Sequence, residues 1–69
     1  MKIIVVHDRY SNEPIVIKTS AIVAVKRVID ESQKNKEEYS EIFAGVNVFM
    51  VKETIGTILT KIKKAESEE

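Results

Sequence analysis

Sixty-nine residues make one domain at most, and a chain this short buries a limited core. Lys plus Arg number 11 and Asp plus Glu number 11, so no overall field draws the chain to nucleic acid or to an anionic membrane. There is no cysteine, which excludes disulfide staples and thiolate ligands and suits a reducing compartment. No stretch approaches the roughly 20 apolar residues of a membrane span. Ile3–Val6 is too short for the apolar core of a secretory signal, so the expected setting is the cytoplasm.

Lys2–His7 is dense in β-branched residues and reads as a first strand. Ile3 and Val5 face one side of it and Ile4 and Val6 the other, and the reading places Ile3 and Val5 in the core. Asp8–Pro14 carries Asp, Ser, Asn and Pro, each a turn former for its own reason. Ile15–Thr19 follows as a second strand, hairpin-paired with the first, with Pro14 at its start, where a missing N–H does no harm. Ala21–Ile29 is ambiguous. Its β-branched density favours a third strand, while Ile22, Val25, Val28 and Ile29 after Ser20 also make a helical stripe. Asp30–Glu38 has no large apolar residue and mixes both signs of charge, so it reads as an exposed, mobile loop. If Ala21–Ile29 were helical, the helix would run on through Glu38 and the order would become ββαββα.

Tyr39–Ala44 is the fourth strand, and Gly45 marks a turn into a fifth at Val46–Val51. Both faces of that last strand are largely apolar. The rhythm then changes. Ile55, Ile58, Leu59, Ile62 and Ala65 recur at offsets of three and four, the single apolar stripe of a helix. Thr54 is the expected N-cap, with Thr57 where a capping box would place Glu or Gln. Glu53 at the start, and Lys61, Lys63 and Lys64 towards the end, suit the helix dipole. The single domain spans residues 1–65, and Glu66–Glu69 is an acidic end that frays.

The fold expected is α+β: a small bent antiparallel sheet, or an SH3-like partial barrel, of about five strands with one C-terminal helix across it. The expected core is Ile3, Val5, Ile15, Ile17, Ile22, Val25, Ile42, Phe49, Val51, Ile55, Ile58, Leu59 and Ile62.

Chemistry-bearing groups are sparse. His7 and Asp8 are adjacent, but neighbours on a strand point to opposite faces, and a lone His without Cys makes a poor metal site. Ser11, Ser20 and the threonines have no second base to activate them. Glu37 and Glu38 stand side by side rather than across a cleft. Gly45 and Gly56 are isolated and form no phosphate loop. No catalytic residue, cofactor or metal is therefore expected. Lys26, Arg27, Lys34, Lys36 and Tyr39 could form a basic patch with an aromatic platform for nucleic acid, although Glu31, Glu37, Glu38 and Glu41 interleave with it. The excess of apolar residues on the strands is more telling, because one helix cannot cover both faces of a sheet. Ile4, Val6, Val48 and Met50 are the candidates for a face buried in a barrel or against a protein partner, a second copy included.

The run Ile42-Phe-Ala-Gly45-Val-Asn-Val-Phe49-Met-Val51-Lys-Glu53-Thr54, followed by Ile58, Leu59 and Ile62, resembles the end of the small FlbD-like proteins of swarming and flagellar motility. Related short bacterial and phage proteins share the scheme. The strands at Met1–Val6 and Ile15–Ile17 match in order. The resemblance departs at Asp30–Glu38, which is longer and more charged, and at Thr57, where an acidic residue is usual. It implies a small, β-rich, cytoplasmic bacterial protein without enzymatic activity, and it transfers no binding residues.

Overall fold

The computed structural model describes residues 2–32, 34 and 36–67. The chain runs β1 (Ile3–His7), β2 (Pro14–Lys18), a single 3-10 turn (Thr19–Ala21), β3 (Ile22–Asp30), β4 (Glu37–Ala44), β5 (Asn47–Val51) and α1 (Ile55–Ser67). All strand pairs are antiparallel. β1 and β2 form one hairpin, while β3, β4 and β5 form a meander. The α+β reading holds, and Ala21–Ile29 resolves to a strand.

The backbones of the two sheets are hydrogen-bonded to each other where β1 and β5 end. Asp8, just past β1, bridges to Val51 at the end of β5. Arg9 N donates to Met50 O at 2.9 Å and Lys52 N donates to His7 O at 3.0 Å. The strand ladder thus passes from β1 to β5 over a short overlap and then bends away.

The turns follow from local chemistry. In the β1–β2 connection, Asp8 Oδ2 accepts the N–H groups of Tyr10 and Ser11, both at 2.9 Å. Asn12 takes the left-handed conformation there with φ of 62°, which Asn tolerates better than most residues. Gly45 opens the two-residue turn between Ala44 and Asn47 with φ of 63°, a value that costs glycine nothing.

One side of the structure holds the core: Ile4 and Val6 of β1, Ile17 of β2, Ile42 and Ala44 of β4, Val51 of β5, and Ile58 and Ala65 of α1. Ile15, Ile22, Val25, Phe49 and Ile62 pack around it. Three expectations need correction. The parity of β1 is the reverse of that expected, since Ile3 and Val5 are 38% and 39% exposed while Val6 is fully buried. Leu59 is half exposed, because it stands at the margin of a stripe whose buried centre is Ile58 and Ala65. The exposed loop is shorter than Asp30–Glu38, because Asp30 pairs with Glu37 and Ile29 with Glu38 as the ends of a long β3–β4 hairpin.

The helix begins as the cap chemistry requires. Thr57 N donates to Thr54 Oγ1 at 3.3 Å, and the two threonine hydroxyls lie 3.0 Å apart. The helix continues through Ser67. Glu68 and Glu69 of the expected acidic end lie outside the described residues.

Candidate functional site

The densest polar contacts lie where β1, β5 and the start of α1 converge. His7 ends β1, and Glu53 occupies the bend between β5 and the helix. Glu53 Oε1 accepts the His7 backbone N–H at 2.9 Å, and its Oε2 lies 2.7 Å from His7 Nδ1. Both carboxylate oxygens are therefore used on a single residue. Ser40, fully buried on β4, donates its hydroxyl to the Glu53 carbonyl at 2.8 Å. Burial works against ionisation of Glu53, but the His7 ring and backbone N–H outweigh it and hold the carboxyl below its ordinary pKa. At neutral pH the carboxylate only accepts, so Nδ1 carries the proton of this contact.

Ser, His and Glu in one cluster invite comparison with a nucleophile triad, and the geometry answers it. The Ser40 hydroxyl is buried and given to a backbone carbonyl, and among the described residues it makes no hydrogen bond to the His7 ring, which a nucleophile would need. The cluster works as a clasp that fixes the sheet junction and the entry to the helix. Asp8, the other half of the tempting pair, folds back into its own turn and leaves His7 alone. Among the described residues, no group of three His, Asp or Glu is placed to hold a metal ion.

Arg9 forms a second clasp. Its guanidinium lies 4.0 Å from the ring centre of Tyr39 and 5.2 Å from that of Tyr10. It also donates to Asp30 at 2.8 Å and to Glu37 at 3.4 Å. The β1–β2 turn is thereby tied to the far half of the β3–β4 hairpin. The Ser32 hydroxyl first, then Arg9, bring the Asp30 carboxyl down to about 2.

Of the residues expected to bind nucleic acid, Lys26 and Tyr39 share the outer face, while Arg27 lies on the other face and Lys34 and Lys36 lie in the β3–β4 connection. Lys26 and Arg27 are consecutive on β3, so Lys26 stands opposite Glu41 on the outer face and Arg27 opposite the buried Ser40 on the other. Tyr39 has Arg9 on its ring, and Lys36 pairs with Glu31 at 3.6 Å in the connection that also holds Lys34.

The residues expected at a protein interface divide in two. Ile4 is 3% and Val6 0% exposed beneath α1, so neither offers a surface. Val48 and Met50 are 50% and 37% exposed on the outer face of the meander. In the register of the sheet they share that face with Phe43 and Tyr39 of β4 and with Ala24 and Val28 of β3. Lys26 and Glu41 sit among them, directly opposite each other.

Two residues that matter here, Glu53 and Arg9, were not singled out as site residues from the sequence. Glu53 stood out as a charge at a helix start and in the run that carries the family resemblance, and 46 positions separate it from His7. No family model matches the chain, and no curated protein or solved structure is significantly similar to it. No helix among the described residues is long and apolar enough to cross a membrane.

Proposed function

We propose that this chain is a small non-enzymatic interaction module that associates through the outer face of the β3–β4–β5 meander, with a second copy of itself as the partner. The observation that carries the reading is the exposed apolar pair Val48 and Met50, set among Phe43, Val28 and Ala24 on a face that, among the described residues, only Arg9 and Tyr10 of the β1–β2 turn reach, at its Tyr39 and Met50 end. Apolar side chains scattered singly need no explanation, but a patch gathered on one sheet face marks a contact surface. Its charge content favours a second copy. Arg9 already pairs with Asp30 and Glu37 at one end of the face, and beside the apolar residues Lys26 and Glu41 stand opposite each other, so a two-fold axis can set Lys26 of each copy on Glu41 of the other. The FlbD-like resemblance of Ile42–Ile62 supports a non-enzymatic role, and a bacterial cytoplasmic setting goes with it.

Light scattering coupled to size exclusion tests the proposal across micromolar concentrations. The wild-type chain is expected to move from monomer to dimer mass with concentration, and Val48→Lys to remain monomeric with an unchanged circular dichroism spectrum. A wild-type chain that stays monomeric throughout, or a Val48→Lys variant that dimerises as well as wild type, overturns it.

A further inference from the structure

A second surface lies on the other sheet. We propose that the free edge of β1 and the flank of α1 form a groove that takes an extended, acidic segment of a partner protein as an added strand.

The argument starts from backbone parity. Asp8 N donates to Glu13 O at 2.8 Å, and Lys2 O accepts Thr19 N at 3.0 Å, so the even-numbered residues of this stretch turn their polar groups towards β2. In an antiparallel ladder the alternate residues turn theirs the other way. His7 does so: its N–H goes to the Glu53 carboxylate and its C=O to Lys52 N. By the same parity, the N–H and C=O groups of Ile3 and Val5 point out of the edge opposite β2. Among the described residues these groups have no hydrogen-bond partner on that side, and β1 pairs there with no strand. Glu53 thus occupies, at one end of the edge, the acceptor position of a missing strand, and the next positions are open.

The space beside that edge is an open groove of about 240 Å3, lined by Ile3, Ile4 and Val5 on the strand and by Lys61, Lys64 and Ala65 on the helix. Its floor is apolar. Its charged groups are both cations, and neither makes an ion pair among the described residues. Unpaired strand groups beside an apolar floor are what strand addition uses for affinity, and the flanking side chains set the specificity. Here the flank selects carboxylates. A second copy of this chain is a poor occupant, because pairing β1 with β1 would bring both copies' lysines into one groove. The opposing possibility is that Lys61 and Lys64 only guard the edge against pairing, as edge lysines do in other sheets.

The test uses short fluorescein-labelled peptides: alternating valine and glutamate, alternating valine and lysine, and the glutamate peptide with its alternate amides N-methylated. Fluorescence anisotropy should show saturable binding of the glutamate peptide alone. Hydrogen exchange followed by NMR should show new protection at the Ile3 and Val5 amides, with no change at Ile4, which already faces β2. The double variant K61E/K64E should bind about tenfold more weakly, because two exposed ion pairs become repulsions. Four results would each overturn the proposal: no binding of the glutamate peptide at low salt, equal binding of the lysine or N-methylated peptide, unchanged exchange at Ile3 and Val5, or full affinity in K61E/K64E. Protection that instead appears at Val48 and Met50 would assign the peptide to the meander face and also overturn it.

Discussion

Glu53 is the residue on which most of the local order converges. Its carboxylate holds the end of β1, its carbonyl holds Ser40 of β4, and the residue after it caps the helix. Replacing it by Ala leaves a half-buried backbone N–H and the His7 ring without their acceptor. Glu53→Ala is expected to lower stability by about 2 kcal/mol in urea unfolding at neutral pH, the scale of a hydrogen bond to a charged group. The pH dependence has a definite sign. A carboxyl whose pKa is lower in the folded chain than in the unfolded one stabilises above the unfolded value, and that stabilisation is lost as pH falls through the folded value. Glu53, Asp8 and Asp30 are all lowered, and Asp30 reaches about 2. The melting temperature should therefore hold from neutrality down to the ordinary carboxylate range and then fall towards pH 2, with Asp30→Asn flattening the lowest part of the fall. None of these pairings could be read from the sequence. His7 looked tempting because of its neighbour Asp8, whereas its partner comes from a distant bend that only the fold brings near.

At the scale of the elements, boundaries and types were largely legible, because turn chemistry and period change announce them. Gly45, Pro14 and Thr54 stand where they were expected, each for a backbone reason that needs no tertiary context. Gly45→Ala gives a clean check. A Cβ at that position meets nothing within 4 Å, so the only penalty is the left-handed backbone. The variant should lose about 1 kcal/mol with no change in the core signals of its NMR spectrum. Faces were harder to read than elements. Ile3–Val6 is apolar at every position, so alternation alone could not say which pair turns inward. The answer came from the helix, which places Ile58 over Ile4 and Val6 as one buried cluster. Leu59 failed for a related reason: the stripe was read as wide as a helix allows, but only its centre at Ile58 and Ala65 is buried. Ile58→Ala should cost about 3 kcal/mol and Leu59→Ala less than about 1 kcal/mol, a contrast that chemical denaturation resolves directly. The β3–β4 hairpin outgrew its expected length because cross-strand pairing and the Arg9 clasp order a stretch that has no large apolar residue between Asp30 and Glu38.

The whole molecule is elongated, 44 × 22 × 20 Å, with its core on one side of the meander and an apolar face on the other. A core this small supplies no more than about 3–5 kcal/mol, so covering the outer face with a second copy would also support the fold. The excess of apolar strand residues was visible in the sequence, but its location was only half legible. Val48 and Met50 lie on the outer face of the meander, while Ile4 and Val6 belong to the core. The most direct measurement is an isotope-filtered NOE experiment on an equal mixture of labelled and unlabelled chains at a concentration where the dimer is expected. Contacts between copies at the methyl groups of Val48 and Met50, with none at Leu59 or Val23, are the predicted result. A dimer whose contacts between copies bypass Val48 and Met50, or a spectrum with no contacts between copies, contradicts it.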